Sequence, residues 1–413
     1  MYIDYETIGE KLGFGKKFFY DLKVKQNLDY IKKNQKHVLK NLKGALPLNV
    51  IFYIYDESKW KSQSVYDLME KNEKFNPLIV VTKNCAPEEN PNFQTAENVI
   101  KCYEYFKNKG MRVEYGYDIQ KNKFIPFEKF NPDIIIYSHP WYVYKTQGPV
   151  VCSKFALTYY IPYFLPASEQ WHEYGLRFHQ YIYRHYVPTE AVRNYYSKNM
   201  PCAEHSFSVV GHPALDNYNI INESDKKYII YAPHWTVCGE NLRFGTFKWS
   251  GEKVLELAKS CPELNWVFRP HPLLYNFILS SGFMKKEEID KYYDEWKSFA
   301  LFSEGGDYIN LFKQSYAMIT DCGSFLTEYF VTENPVIHLV SEHLNPNATI
   351  KEIDETYYTV HNADELIKYF HQVIIDKYDY KKEDRIKLLE KLNLKNSSSA
   401  ERIINDILSD VIL

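Results

Sequence analysis

The feature that most constrains the fold is an alternation of short apolar runs and helical stretches, which begins near residue 48 and forms two successive series. Continuous runs rich in Val and Ile are typical of parallel strands buried on both faces. A helix is predicted at Glu97–Lys109, between two strands of the first series. The predicted strands of that series are Asn49–Tyr55, Pro77–Thr82, Met111–Tyr117, Asp133–Ser138, Phe155–Tyr160, Ile182–Tyr186 and Phe207–Val210.

A second series follows a polar link at Asn222–Lys227, with helices predicted at Gly251–Lys259 and Lys285–Lys297. Two βαβ arrays in succession predict an α/β protein with two doubly wound domains that face a cleft, and ligands in such sheets bind beyond the carboxyl ends of the strands. The last segment, from Ala363 to Leu413, is predicted to be helical and to cross back onto the first domain. The strands predicted here are Tyr228–Ala232, Asn265–Phe268, Phe299–Phe302, Tyr316–Thr320 and Val336–Val340.

These patterns predict a domain organisation of four segments. We expect a basic amphipathic segment at 1–44, a Rossmann-like acceptor domain at 45–216, a Rossmann-like nucleotide-donor domain at 225–375 and C-terminal helices at 376–413. The first segment has ten Lys against five acidic residues, and its apolar residues recur every three to four positions. Two interpretations remain open for it: a helix lying on an anionic membrane surface, or a solvated helix packed on the first domain.

Composition excludes several classes of protein. The chain has 413 residues, 45% of them hydrophobic, which is enough for two cores. A net charge of −3 does not favour a nucleic-acid partner. Seven scattered Cys without a CxxC argue against a disulfide framework or a zinc site. Neither a secretory leader nor an apolar run long enough for a membrane span is found, so we expect a cytoplasmic protein, with the inner face of the membrane as an alternative.

The most informative motif is Ile319–Glu328, where an apolar strand ends and a helical pattern resumes after two small residues. Such a strand-to-helix turn leaves backbone N–H groups without intrahelical partners, and the helix dipole favours a phosphate there. We expect Gly323 to allow close approach of the phosphate, Ser324 to donate one more bond, and Glu328, on the same helix face, to accept bonds from ribose. An ordinary helix capped by Asp321 or Ser324 explains the pattern equally well.

A second motif, Phe268–Pro272, closes another predicted strand. Its two prolines fix the backbone and hold Arg269 and His271 at the strand end. The planar guanidinium of Arg269 suits a pair of charged oxygens, and His271 is able to donate to a leaving phosphate or to act as a general acid. The alternative is a turn that contains a buried, hydrogen-bonded histidine.

A third motif, Tyr231–Thr236, also lies at a strand end and opens the second domain. We expect His234 and Trp235 to face a base or a phosphate, with core packing as the equal alternative for Trp235. These positions belong to the edge of the sheet at which doubly wound domains bind their ligands.

A fourth motif, Gly211–Asp216, lies at the junction between the predicted domains. Its turn residues Gly211, His212 and Pro213 predict a hinge that borders the cleft. A direct chemical role for His212 is the less favoured alternative.

Together, the four motifs resemble in order and spacing the CDP-glycerol glycerophosphotransferase family, whose members build teichoic-acid-like polymers. That family carries a GHPR-x-D-like turn, a YAPTWR-like strand end, an R-x-HP element and an SDYSS-x-x-FD-like strand-to-helix turn. The corresponding segments here are GHPALD (211–216), YAPHWT (231–236), RPHP (269–272) and TDCGSFLTE (320–328). The resemblance covers residues 211–340 well and the rest of the chain loosely.

The resemblance implies a GT-B fold and the transfer of a polyol-phosphate unit from a CDP-polyol. His271 matches the family histidine linked to donor phosphate and catalysis, Ser324 matches a serine that bonds the diphosphate, and Glu328 matches an acidic residue on the following helix. By the same match, Arg269 and Gly323 are expected around the donor. We also expect Asp321, which begins the turn after the strand, to be a donor-binding residue. No cofactor is implied.

The sequence also departs from the family pattern. Cys322 and Gly323 replace a tyrosine and a serine, and His234 and Thr236 replace a threonine and an arginine, which removes one cation that faces the phosphate. The family's N-terminal HGTP element, which carries the proposed base, has no counterpart, and the aligned strand is Thr158–Tyr163 instead.

A base from the first domain is therefore expected elsewhere. His139 is the leading candidate because it follows the strand Asp133–Ser138 at its carboxyl end, and a buried structural histidine is the alternative. His172 and His179 are reserves; their spacing of seven does not suit a metal pair, so no metal site is predicted.

The predicted function is a phosphotransferase in which an acceptor hydroxyl attacks the β-phosphorus of CDP-glycerol or a related CDP-polyol, with release of CMP. The acceptor would be a cell-surface glycan or a polyol-phosphate polymer, free or lipid-linked. Two alternatives remain open: a GT-B glycosyltransferase that uses a CMP-, UDP- or GDP-sugar, and a non-catalytic nucleotide or glycan binder in an assembly complex.

Overall fold

In the computed structural model, the chain is described except for residues 1–13, 89, 91–92, 168–175, 201–205, 217, 219–225, 238–242, 305–307, 395–397 and 413. For residues 14–26, 199 and 412 only the backbone is described. The chain forms two compact units. The first comprises Met1–Phe164, Gln170–Ala214 and Ser398–Leu413, and the second comprises Leu165–Glu169 and Leu215–Ser397.

The first unit is built on a seven-stranded parallel sheet with the strand order β3-β2-β1-β6-β7-β8-β9. Each predicted strand of the first series is confirmed, with ends that move by at most two residues. Residues after β3 form a small antiparallel hairpin, β4 and β5, that the sequence did not predict. The strands are β1 (Leu48–Ile54), β2 (Phe75–Val81), β3 (Val113–Tyr115), β4 (Tyr117–Asp118), β5 (Lys123–Phe124), β6 (Ile134–Tyr137), β7 (Leu157–Tyr160), β8 (Arg184–Val187) and β9 (Phe207–Val209).

The second unit is built on a six-stranded parallel sheet with the order β12-β11-β10-β13-β14-β15. All five predicted strands of the second series are confirmed. The sixth, β15, was not predicted, because three residues at a sheet edge are too few to show a periodicity. The strands are β10 (Tyr228–Ala232), β11 (Asn265–Phe268), β12 (Leu301–Phe302), β13 (Ser315–Thr320), β14 (Val336–Leu339) and β15 (Tyr358–Val360).

In chain order within its unit, each sheet has the arrangement 3-2-1-4-5-6, extended by one strand in the first unit. This is the doubly wound Rossmann order, so the predicted fold of each unit is confirmed. The helices are α1 (Phe14–Leu42), α2 (Gln63–Glu70), α3 (Ala96–Asn108), α4 (Pro149–Cys152), α5 (Arg177–Gln180), α6 (Glu190–Asn199), α7 (Phe247–Ser260), α8 (Leu274–Ser280), α9 (Lys286–Phe299), α10 (Ile309–Lys313), α11 (Gly323–Glu328), α12 (Ala348–Asp354), α13 (Ala363–Tyr369, continued by a π-helical turn at Phe370–Ile375), α14 (Lys382–Lys391) and α15 (Ser399–Ile412).

The boundaries between the units differ from the predicted ones. The chain changes unit between Ala214 and Leu215, two residues before the predicted end of the first domain, and the short segment Leu165–Glu169 belongs to the second unit. The predicted C-terminal segment 376–413 is divided: α14 belongs to the second unit and α15 to the first. The expected return of the C-terminal helix is therefore confirmed for α15 alone.

Helix α15 belongs to the first unit because of one apolar face and two acidic side chains. Ile403, Ile407 and Val411, spaced four residues apart, are fully buried in the core of that unit. The guanidinium of Arg184 on β8 donates to Asp410 at 2.5 Å and forms an ion pair with Asp406. Burial of apolar area provides most of the stabilisation, and the ion pairs fix the position of the helix.

The basic N-terminal segment is helical from Phe14 to Leu42, and residues 28–42 pack on the first unit. Val38 and Leu42 are buried in the main core of that unit, and Leu28 and Ile31 pack with Tyr181. These residues favour the interpretation of a helix packed on the first domain over residues 27–42. Among the described helices, none has the length and apolar content needed to cross a bilayer.

Candidate functional site

The candidate site lies in the second unit, at the carboxyl edge of its sheet. The strand order reverses between β10 and β13, so connections leave the sheet in opposite directions there and open a crevice that binds ligands in doubly wound folds. Three of the four sequence motifs follow β10, β11 and β13. The backbone joins them: Arg269 N–H donates to Tyr231 O at 2.8 Å, and His271 N–H donates to Pro233 O at 3.0 Å.

Asp321, the first residue after β13, ties two loops to the site. Its carboxylate accepts from the backbone N–H of His234 at 2.6 Å, from the N–H of Thr246 at 2.6 Å and from the Thr246 hydroxyl at 2.8 Å. Complete burial raises its pKa to about 6, and these hydrogen bonds oppose the shift. Since its oxygens already have protein donors, Asp321 positions the loops, and the expectation that it binds the donor directly is not supported.

His234 and His271 are two neutral donors at this edge. The Nδ1 of His234 accepts from Thr236 N–H at 3.3 Å and lies 2.9 Å from its hydroxyl, while the Nδ1 of His271 accepts from Leu273 N–H at 3.1 Å. Burial lowers the pKa of His271 to about 4 and that of His234 well below its usual value. Both neutral rings therefore carry their proton on Nε2, and their centroids are 5.6 Å apart.

Arg269 supplies the fixed positive charge. Its side chain is buried, and its Nη1 donates to the hydroxyl of Ser303 at 2.6 Å. The guanidinium carbon lies 5.0 Å from the centre of the Tyr308 ring. The Tyr308 hydroxyl in turn donates to Glu328, the buried last residue of α11. This chain of contacts joins the arginine after β11 to the helix after β13.

The turn into α11 presents backbone donors. The N–H of Cys322 is taken by the Thr320 hydroxyl at 2.9 Å, and Phe325 and Leu326 donate back to Cys322 O. The N–H groups of Gly323 and Ser324 therefore lie before the first intrahelical hydrogen bonds, at the positions where a helix has backbone donors without intrahelical partners. The Ser324 hydroxyl is half-buried beside the Cys322 thiol at 3.8 Å.

Gly323 packs closely against neighbouring side chains. A Cβ at this position would lie 2.6 Å from two ring atoms of Phe244 and 2.9 Å from the Cβ of Ala167. The space beside the glycine is filled by protein, so packing alone explains why residue 323 has no side chain. That the backbone at Gly323 admits a phosphate stays a prediction.

Trp235 is half-buried, and its ring centroid lies 4.4 Å from that of Phe277 and 6.2 Å from that of His271. It packs against the core of the second unit from the outside. The sequence left core packing and a ligand-facing position open for Trp235. In the structure its ring packs against Phe277 and also lies beside His271.

His139 lies outside this site, in the first unit, and the structure argues against its predicted role as the base. The side chain is fully buried, its Nδ1 lies 3.1 Å from the Ser138 hydroxyl, and its Nε2 has no hydrogen-bond partner among the described residues. Its ring packs on Tyr55, with centroids 3.8 Å apart. Burial lowers its pKa well below the usual value. A side chain enclosed by rings does not reach an acceptor hydroxyl, and the structural alternative fits better.

The motif Gly211–Leu215 marks the point at which the chain changes unit, consistent with a hinge. Gly211 has a φ of 83°, a left-handed conformation that favours glycine. His212 is buried; its Nε2–H donates to Pro162 O at 2.8 Å, and its Nδ1 accepts from Ala214 N–H at 3.2 Å. Pro213 O accepts from Ser64 at 3.2 Å. With both nitrogens of His212 satisfied, its role is structural.

Of the two reserve histidines, only His179 lies in the described part of the chain. His179 on α5 is buried and packs against His185 at 5.5 Å, while His172 lies outside the described residues. Within the described part of the chain, no group of three or more metal-ligating side chains comes together.

Sequence reasoning missed four residues of the site: Ser303, Tyr308, Phe244 and Thr246. Ser303 could have been found, because it directly follows the predicted strand that ends at Phe302, and strand ends are where polar residues of this sheet converge. No local pattern marks the other three, since each acts on a residue at least 20 positions away.

Residues 178–409, more than half of the chain, match the sequence profile of CDP-glycerol:poly(glycerophosphate) glycerophosphotransferase, and this range contains all four motifs. The chain belongs to this glycerophosphotransferase family. The predicted resemblance and the predicted class of enzyme, a transferase of glycerol phosphate from CDP-glycerol, are thereby confirmed. No curated protein matches the sequence at a significant level.

Solved structures confirm the GT-B type of fold for this glycerophosphotransferase. The wall teichoic acid polymerase TagF superposes with a TM-score of 0.56 at 13% identity, covering 97% of this chain and 99% of that chain. UDP-GlcNAc 2-epimerase from Neisseria meningitidis gives 0.56 at 15% identity, covering 87% and 99%. A putative UDP-N-acetylglucosamine 2-epimerase from Listeria monocytogenes gives 0.56 at 16% identity, covering 88% and 97%. At such identities the likeness concerns the fold.

Proposed function

We propose that the second unit binds the diphosphate of CDP-glycerol at the carboxyl ends of β10, β11 and β13, and that glycerol phosphate passes from it to a hydroxyl of a teichoic-acid-like polymer or surface glycan. The observation that carries this proposal is the convergence of Arg269, His271 and His234 with the amides of α11 at the point where the strand order reverses. The crystal structures of TagF include a variant soaked with CDPG, which agrees with such a donor.

The electrostatics of the site favour a diphosphate. Arg269 contributes a permanent positive charge, and the planar fork of a guanidinium matches paired phosphate oxygens. His234 and His271 each offer one Nε2–H, and Gly323 and Ser324 offer backbone N–H groups. Donors that are fixed before the substrate binds cost no reorganisation when charge develops. Together they replace the arginine that the family pattern has at position 236.

In the proposed reaction, the acceptor oxygen forms a bond to the β-phosphorus and the bond from that phosphorus to the bridging oxygen breaks. The acceptor hydroxyl loses its proton, CMP carries away the bridging oxygen, and the product is a phosphodiester. Since an in-line displacement of this kind leaves little covalent chemistry to the protein, positioning and charge stabilisation supply most of the catalysis. Arg269 and His271 are proposed to stabilise charge on the bridging and leaving oxygens.

The acceptor is proposed to be lipid-linked and to be met at the inner face of the cell membrane. The support is the basic composition of residues 1–44, because lysines attract a segment to anionic lipid. Since the apolar side chains of residues 28–42 pack on the first unit, the contact is assigned to residues before Leu28. Co-sedimentation with anionic and with neutral vesicles tests this, and equal binding to both contradicts it.

Substitution of the donor site tests the proposed function. We expect Arg269→Ala and His271→Ala each to reduce release of CMP from CDP-glycerol by about 100-fold or more, since one preorganised donor is worth roughly 3 kcal/mol. Arg193→Ala and His361→Ala are matched controls, because both side chains are exposed and neither lies at the site. Circular dichroism of all four variants establishes that the fold is retained.

Near-wild-type turnover in both site variants would refute the proposed cradle. Analysis of the product decides the chemistry: a new phosphodiester together with CMP supports the proposal, whereas a new glycosidic bond from a CMP-, UDP- or GDP-sugar contradicts it. Binding of CDP-glycerol without turnover would point to the non-catalytic alternative.

A further inference from the structure

A pocket of about 200 Å³ lies in the first unit, and none of its lining residues is assigned to the donor. Its walls come from the loop after β1, the loop after β2 and the first turns of α3. The position is again the carboxyl edge of a parallel sheet, where doubly wound folds bind small molecules. Its volume is below the roughly 300–1,000 Å³ of pockets for drug-sized ligands, so it suits one small unit rather than a nucleotide.

The charges that line this pocket are compensated. Lys101 Nζ lies 2.6 Å from a Glu57 oxygen, and Lys59 Nζ lies 3.5 Å from an Asp56 oxygen. Two ammonium and two carboxylate groups leave no excess positive charge for a phosphate. They offer donors and acceptors side by side, however, which is what a hydroxyl needs, because it donates one hydrogen bond and accepts two.

The pocket is held open by hydrogen bonds between its walls. The Gln94 side chain accepts from Asn84 N–H at 3.0 Å and donates to the backbone oxygen of Tyr55, which joins the loops after β1 and β2. Lys59 donates to the Tyr55 hydroxyl at 3.3 Å. The half-buried ring of Phe93 contributes apolar surface beside these polar groups. A fixed wall of this kind lowers the entropy lost when a ligand binds.

We propose that this pocket binds one hydroxyl-bearing unit of the acceptor, either a glycerol or a single sugar ring. Hydroxyl pairs of that unit bond to the carboxylates and ammonium groups, and its C–H face packs on the ring of Phe93. The inference rests on the proposed function, because it is the transfer reaction that requires a polyhydroxylated acceptor. It adds the chemistry by which the first unit selects that acceptor.

Acceptor kinetics test the proposal in the full-length enzyme. With CDP-glycerol saturating and a synthetic glycerol-phosphate oligomer as acceptor, we expect Glu57→Gln and Lys59→Met to raise the KM for the oligomer at least about tenfold. The KM for CDP-glycerol and the slow release of CMP into water are expected to stay within about twofold. Glu104→Gln is the matched control, because Glu104 lies on α3, which also carries the pocket residue Lys101, but it pairs with Lys107 outside the pocket.

An unchanged oligomer KM in both pocket variants would overturn the proposal, and so would an equal rise in the KM for CDP-glycerol. Ligand-observed NMR with glycerol as the probe requires no turnover, so it tests the pocket even for an enzyme that does not use CDP-glycerol. Saturation transfer to glycerol should be seen with wild type and Glu104→Gln and be lost with Glu57→Gln. Transfer to glycerol 3-phosphate but not to glycerol would show that the phosphate is recognised, and the proposal would be wrong.

Discussion

At the scale of single residues, the site depends on side chains that orient others. Asp321 accepts three hydrogen bonds from two segments more than 70 residues away and so fixes the backbone that carries His234. Its negative charge lies where a phosphate is proposed to bind, but its high pKa and its three donors reduce the repulsion. His234 and His271 remain neutral for the same reason of burial, so Arg269 is the proposed source of positive charge.

Gly323 provides a prediction at this scale. In Gly323→Ala the new methyl group would overlap the Phe244 ring, and we expect the free energy of unfolding to fall by about 1–3 kcal/mol, the usual cost of overpacking. Denaturant unfolding measures this. The additional change Phe244→Leu makes room and should restore most of the loss. Unchanged stability together with weaker binding of CDP-glycerol would instead show that the glycine admits the ligand.

At the scale of elements, strand ends place the polar residues and a distant helix completes the first unit. Parallel strands align their carboxyl ends along one edge of the sheet. Motifs that are 30 to 90 residues apart in the sequence therefore come together because each follows a strand of the same sheet. Helix α15 is different, because the chain runs through the whole second unit before this helix covers α2 in the first. Its four-residue apolar spacing and the ion pairs with Arg184 make that return stable.

Truncation of a buried side chain on α15 tests this contribution. We expect Ile407→Ala to lower the free energy of unfolding by about 2–5 kcal/mol, since Ile407 is fully buried and a cavity would remain. Asn405→Ala on the same helix is the matched control, because Asn405 is exposed and should change stability by less than about 0.5 kcal/mol. Thermal and denaturant unfolding measure both. Equal effects of the two changes would show that α15 does not contribute to the core.

At the scale of the whole molecule, the two units share one strand order but differ in the chemistry of the sheet edge. The edge of the second unit combines an arginine with neutral donors, whereas the described pocket of the first unit has compensated charges. Transfer between a charged donor and a polyhydroxylated acceptor requires such a difference. Both units also bury histidines, which couples stability to pH.

Stability is expected to fall in acid. Burial lowers the pKa of His212 and His271 to about 4, so the unfolded chain binds protons more tightly, and stability is lost as the pH falls from about 6.5 to 4. For His212 the loss amounts to about 3 kcal/mol at the acid end. Asp321 acts oppositely: its pKa is raised to about 6, so stability is lost as the pH rises towards 6. The lowered pKa values of His139, His185 and His234 add to the first effect, which therefore dominates.

Thermal unfolding between pH 4 and 7 measures this balance. The melting temperature of wild type should decrease as the pH falls below 6.5. His271→Gln removes one titrating group. The melting temperature of this variant should therefore fall less than that of wild type as the pH decreases from 6.5 to 4. A difference that is constant across this range would contradict the assignment.

Much of the fold and part of the site could be predicted from local patterns. Continuous apolar runs indicated the strands of both sheets apart from β15 and the hairpin, because burial on both faces leaves a signal within four to seven consecutive residues. Since ligands bind at the carboxyl ends of the strands in such sheets, Arg269, His271 and the turn after β13 could be predicted to lie at one edge. Family motifs identified the enzyme class because they consist of the residues at that edge.

The sequence by itself therefore determined the two doubly wound units, the edge that carries the donor site and the class of reaction, since each is encoded in short-range patterns. Tertiary structure alone decided which side chains act and which support them. His139 is enclosed by Tyr55, Gly323 packs on Phe244, and Asp321 bonds Thr246, all over separations of at least 75 residues. The physical reason is that periodicity records which face is buried, whereas partners across the core are chosen by packing.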